Sequence, residues 1–201
     1  MKKIKIFLAS SKELKPERDL FEIEIYRKCK AWCDRGIFLH LDIWEDLSAR
    51  MSATGSQSEY NKYVQGADLF VLLAYTKVGM YTGQEFENAF GQFKSVQKPF
   101  IFTYFKKLPE GATAEPSLAE FHQKLKDLNH FDSSFQDFND LWVQFNKELD
   151  RLEMAGFEEF KKESMNPAGN SSTIGDQNKN TVVLQEKDIN TGGGDFNINM
   201  S

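Results

Sequence analysis

The chain has 201 residues, enough to bury one sizeable core and carry an appendage, and it bears a net charge of −5 with a pI near 5.3. Neutralising a phosphate backbone needs a basic excess that neither the total nor any local cluster supplies, so no nucleic-acid partner is expected. No stretch approaches the ~18–20 apolar residues that span a bilayer, and the first apolar run is too short for a secretory signal. The expectation is therefore a soluble, cytoplasmic protein with no membrane partner.

Lys2, Lys3 and Lys5 alternate with Ile4 and Ile6 and read as the solvated edge of a first strand over residues 4–9. A helix follows over 16–35. Its stripe of Phe21, Ile25, Cys29 and Trp32 is spaced to pack on a sheet, with Pro16 suited to the first turn and Gly36 to the stop. Cys29 and Cys33, four apart, share a helix face but are poorly placed for a disulfide, and no histidine completes a zinc set, so both read as small core residues with no metal. Arg18 is expected to form a helix-surface ion pair with Glu22. Further apolar, β-branched or aromatic runs at 37–43, 69–75 and 100–105 predict three more strands.

Helix starts are written as capping boxes at Ser56 with Glu59, Thr82 with Glu85, Ser117 with Glu120 and Ser133 with Gln136. A last helix is expected over 135–162, from the spacing of Phe138, Leu141, Trp142, Phe145, Leu149 and Leu152. Alternating strands and helices predict an α/β fold, a flavodoxin-like doubly wound parallel sheet over residues 1–164. Ligands of such sheets bind beyond the carboxyl ends of the strands, which points to the loops after Ala9, Ile43 and Tyr75. From residue 165 to 201 the composition turns to Asn, Gly, Asp and Ser, giving a low-complexity tail. Within it Gly175-Asp176-Gln177-Asn178 is echoed by Gly194-Asp195-Phe196-Asn197.

The stretch richest in chemistry is 67–89: a buried strand ends at Tyr75, a loop with Gly79 turns, and a helix opens with Tyr81 and Glu85. Here the chain resembles TIR domains, whose third strand is followed by an aromatic residue four positions before a glutamate that cleaves a nicotinamide glycosidic bond. The opening Lys5-Ile6-Phe7-Leu8-Ala9-Ser10-Ser11, with Arg18 after it, is similar to the first strand and loop of TIR-like bacterial effectors. The resemblance spans about residues 3–160. It departs from the family at 47–55, which lacks the arginine, aspartate and glycine-proline pattern of that loop.

The resemblance implies that NAD+ is the substrate, with no separate cofactor, that Glu85 is the catalytic carboxylate, and that Ser10, Ser11, Trp44, Tyr75 and Tyr81 line the substrate site. Breaking the bond to nicotinamide builds oxocarbenium-like charge on the ribose, which a fixed carboxylate stabilises or attacks. Nicotinamide leaves as a neutral base, so little acid catalysis is required. The family further implies a bacterial immune or cell-suicide effector activated by oligomerisation, as a homo-oligomer or filament.

Each residue also has a structural reading. Glu85 caps with Thr82, Tyr81 and Trp44 complete a core edge, Ser10 and Ser11 form a turn, and His40, His122 and His130 have no ligand spacing. Two other functions share the layout: a nucleoside 2-deoxyribosyltransferase-like enzyme, which also places a glutamate at a ribose C1, and a non-catalytic TIR scaffold. In the tail, Thr173-Ile174-Gly175-Asp176-Gln177-Asn178 resembles amyloid signalling motifs, implying assembly or docking to a sensor protein.

Overall fold

A computed structural model of the chain describes residues 1–43, 45 and 56–157, though not the side chains of 56–60. All of these fall within the unit Met1–Asn166. Trp44, the loop 47–55, residues 158–162 of the expected last helix, and the tail with both Gly-Asp-x-Asn copies lie outside the described residues.

Strand β1 (Lys2–Ser10) runs into one 3-10 turn and then α1 (Lys15–Cys33), followed by β2 (Ile37–Ile43) and α2 (Ser56–Gln65). Next come β3 (Leu69–Ala74), α3 (Met80–Val96), β4 (Phe100–Lys106), α4 (Pro116–Asp127), β5 (Ser133–Phe135) and α5 (Phe138–Met154). The five described strands form one parallel sheet in the order β2-β1-β3-β4-β5. This is the flavodoxin-like doubly wound arrangement, with its switch point between β1 and β3.

Strand alternation divides the core in two. Ile4, Ile6 and Leu8 of β1 with Leu69, Val71 and Leu73 of β3 pack under α1 and α5, where Phe21, Ile25, Trp32, Leu141 and Phe145 close the layer. Phe7, Ala9, Phe70, Leu72 and Ala74 point the other way, against α3 and α4 through Phe86, Ala89, Leu118 and Phe121. Every residue of β3 is buried, as a central parallel strand requires. Lys2, Lys3 and Lys5 are exposed at the amino end of β1, although β1 itself is central in the sheet.

Several local expectations are corrected. Helix α3 starts at Met80 with Gly79 as its N-cap, so Thr82 and Glu85 lie inside the helix and do not cap it. Helix α4 starts at Pro116, whose missing N–H and fixed φ suit a first turn, so Glu115 and not Ser117 is the N-cap. Ser133 is extended in β5. The box of α5 lies further on: Asp137 accepts from the Asp140 N–H at 3.0 Å, and Asp140 accepts from the Gln136 N–H at 3.0 Å. The Ser56 and Glu59 side chains are outside the described set.

Helix α5 also ends before residue 162. The chain reverses at Gly156 (φ 61°) and Phe157 (φ 58°), the Phe157 N–H bonds the Leu152 carbonyl at 2.7 Å, and the Phe157 ring packs on Trp32. Of the two cysteines only Cys29 is a core residue; Cys33 is exposed, because the helix turns it past the sheet. Cys29 Sγ accepts the Leu39 N–H at 3.3 Å.

Candidate active site

At the switch point the chain leaves β1 toward α1 and β3 toward α3, on opposite faces of the sheet, the place where doubly wound folds form their ligand crevice. Ser10 stands level with Leu73 there. Its hydroxyl accepts a hydrogen bond from Arg18 Nη1 at 2.7 Å, while the Ser11 carbonyl accepts a second from the same nitrogen at 2.8 Å. Arg18 is fully buried, far from the helix-surface residue that its spacing to Glu22 implies. It sits beneath the crevice because α1 packs directly on β1 and β2. Its Nε and Nη2 both donate to Glu45 Oε1, at 2.8 and 2.6 Å, which gives the desolvated guanidinium its counter-charge. The other oxygen of Glu45 is buried with no hydrogen-bond partner among the described residues.

A second clamp crosses the crevice. Glu13, in the 3-10 turn after β1, accepts the Thr76 N–H at 3.0 Å, the Thr76 hydroxyl at 2.6 Å and the Ser11 hydroxyl at 2.9 Å. Burial alone would raise its pKa, but the hydrogen bonds from Thr76 and Ser11 and the nearby Lys77 outweigh it, so the carboxyl is held below its ordinary range. Ser11 and Thr76 are thus fixed by an anion that remains charged at neutral pH.

Glu85 is different. Thr82, Glu85, Phe86 and Ala89 form the buried stripe of α3, the side that packs on the sheet. Glu85 is 7 % exposed, and among the described residues its carboxylate has neither a hydrogen-bond partner nor an ion pair. With no compensating donor, burial pushes its pKa up to about 7. Tyr81, one turn earlier, is 62 % exposed and stands free at the start of the helix.

Tyr75 goes to the opposite face. It has the strand parity of Leu73 and packs against the α1/α5 layer, with Lys106 Nζ 5.0 Å from its ring centroid and Lys106 in turn bonded to Glu17 at 2.5 Å. The fold therefore brings Ser10 and Ser11 together at the carboxyl end of β1, with Ser10, level with Leu73 and bonded to Arg18 of α1, on the same face as Tyr75 and across the sheet from α3. Trp44 is not among the described residues, but its neighbour Glu45 is part of the Arg18 cluster. Glu13 and Glu45 escaped the sequence reading. Glu13's position just after a strand's carboxyl end was the one available signal.

Three candidate groups offer distinct chemistry. The Ser10 hydroxyl accepts from Arg18 and so keeps its own proton to donate. Glu13 is saturated. Glu85 alone is buried, titrates near neutrality and is uncommitted. Among the described residues no group of three or more His, Cys, Asp and Glu side chains is placed to hold a metal ion, and no helix is long and apolar enough to cross a membrane. In comparisons with known proteins, the chain matches no family model, no curated protein and no solved structure.

Proposed function

We propose that this chain is a TIR-like NAD+ nucleosidase in which Glu85 is the catalytic carboxylate. The observation that carries this reading is a buried, unpartnered carboxyl on the sheet-facing side of α3, the helix that follows β3 at the ligand-binding end. Leaving such a group without a donor destabilises the fold, and a site evolved only for stability would hold an apolar residue there. The contrast with Glu13 supports the assignment. Of two carboxyls, the one held low is locked by hydrogen bonds, while the one held high is free for a substrate.

The nicotinamide ring of NAD+ is a cationic pyridinium. Its approach favours the ionised form of Glu85, since an opposite charge nearby lowers a carboxyl pKa. As the C–N bond breaks, its electron pair goes to nicotinamide, and the positive charge moves to the ribose, where the carboxylate stabilises it. Water then adds to the anomeric carbon and a proton is released, giving ADP-ribose and neutral nicotinamide; internal attack by the adenine gives a cyclic isomer instead. Ser10 supplies a donor for the dinucleotide's polar groups, and Arg18 beneath it holds that hydroxyl in place. Cytoplasmic action in bacterial immunity or cell suicide, and activation by oligomerisation through the tail over 165–201, belong to the same proposal.

The test is nicotinamide release from NAD+ by the wild type and by Glu85→Gln, each with and without forced clustering. A drop of about 100-fold or more is expected in a Gln variant that remains folded. Release at the wild-type rate by that variant would refute the role of Glu85. Base exchange between deoxynucleosides in place of nicotinamide release identifies the deoxyribosyltransferase-like chemistry, and inactivity of the clustered wild type toward both substrates identifies a scaffold.

A further inference from the structure

Strand β5 is three residues long and pairs with β4 only from Tyr104 to Lys106. Before Tyr104, no described strand lies on the outer side of β4. The chain reaches β5 through a turn in which Asn129 takes φ 52°, and residues 128–131 of that segment line one cavity with β4. The space between is a groove of about 560 Å³. Pockets that hold small molecules run from about 300 to 1,000 Å³.

The groove has a built interior. Phe86, Phe90 and Phe93, at positions i, i+4 and i+7 of α3, form one wall, and the Phe86 and Phe90 rings lie within 6° of parallel. The floor is the outer edge of β4 over 100–103. His130 and Phe131 also line the groove, and Phe131 is 95 % exposed. Polar side chains interrupt this aromatic lining: Asn129, Ser133, Tyr104 and Glu148, and two more whose polar atoms are unmet. Among the described residues Thr103 Oγ1 and His130 Nε2 are both buried without a hydrogen-bond partner, and Thr103 is only 3 % exposed. Buried hydroxyls and ring nitrogens are almost always satisfied, so a pair of orphans lining one groove marks a place where something else supplies the partners. Burial lowers the His130 pKa against the opposing pull of Asp132, so the ring is neutral at neutral pH and does not call for an anion.

We propose that this groove is a second binding site, for a neutral planar heteroaromatic molecule that carries at least one ring N–H or amide. Its flat body lies against Phe90 and Phe93, and its polar edge meets Thr103 and His130. The site is separate from the chemistry of Glu85, although Phe86, the next residue along α3, forms part of its wall.

Indole and indene test this directly, because they share one bicyclic shape and differ by the N–H. Titrating the full chain with each, while following the His130 imidazole resonances by NMR, should give saturable shifts for both, with indole binding about tenfold more tightly. Thr103→Val removes the hydroxyl while keeping the side-chain shape, and His130→Phe removes the ring nitrogens; in either variant the indole advantage should fall to about twofold or less, with indene unaffected. Should one variant fail to fold, the other carries the comparison. Absence of saturable shifts at His130, or equal affinity of the wild type for indole and indene, overturns the assignment.

Discussion

Glu13 and Thr76, 63 residues apart in sequence, are joined by two hydrogen bonds to one carboxylate, at 3.0 Å from the backbone N–H and 2.6 Å from the hydroxyl. The segment after β1 is thereby tied to the segment after β3 across the switch point. Because Ser11 donates to the same carboxylate, the floor of the crevice is preset before any ligand arrives.

This tie is measurable through its charge. Glu13 has a folded pKa below its ordinary value of 4.5, so its contribution to stability is present above that value and lost as pH falls through the folded pKa. Glu13→Ala should lower stability by about 1 kcal/mol at pH 7, the usual worth of hydrogen bonds to a partly exposed group. The difference should shrink on going to about pH 3. Urea midpoints of both proteins at the two pH values check this.

The Arg18 cluster predicts a larger effect. Arg18 is fully buried and bonded to Glu45, Ser10 and Ser11, so removing the guanidinium strands a partly buried carboxylate and leaves acceptors unmet. Arg18→Met should cost about 3 kcal/mol, and the double variant with Glu45→Met should recover more than half of that, because the unpaired charge and not the lost attraction dominates the penalty. Thermal or urea unfolding of the two single variants and the double variant completes the cycle. A double variant as unstable as Arg18→Met alone contradicts the argument.

How much of this was legible follows from which forces are local. The four longer strands are runs of β-branched and aromatic residues, and the α1 stripe of Phe21, Ile25, Cys29 and Trp32 repeats at the helical period, so both were readable. Strand β5 was not. Ser-Ser-Phe has no alternation, and its place is fixed by Phe135 burying itself in a core built by distant elements. Thr82-x-x-Glu85 has the spacing of a capping box, yet α3 begins two residues before Thr82, since Gly79 takes the extended N-cap conformation. The parity of Tyr75 was visible in the strand, but which face α3 would cover was not, and this is what separates Tyr75 from Glu85. Glu13 and Glu45 bond to partners 63 and 27 residues away, which no local pattern encodes.

Glu85 makes a stability prediction that does not depend on any substrate. Its pKa is raised from 4.5 to about 7, so the stability associated with the protonated form is fully present below 4.5 and lost as pH rises to about 7. Glu85→Gln has no proton to lose. Its stability relative to wild type should therefore climb through that window and level off above it, by about 3 kcal/mol in all. Chemical denaturation of the pair from pH 4.5 to 8 reads the curve directly. A flat difference would show that Glu85 has a partner for its charge.

The same titration sets the pH dependence of the proposed reaction. Only the ionised carboxyl stabilises an electron-poor ribose, and kcat/KM reports the ionisation of the free enzyme. Nicotinamide release should therefore rise about tenfold per pH unit well below neutrality and reach a plateau above pH ~7, the value to which burial pushes Glu85. Under saturating NAD+ the inflection in kcat should move to lower pH, because the bound pyridinium charge favours the carboxylate. Glu85→Asp keeps a carboxyl but withdraws it by one methylene, so it should lose rate at every pH while retaining the rising limb. A profile that falls with increasing pH across the same range would instead assign the protonated carboxyl, acting as an acid, to the rate-limiting step.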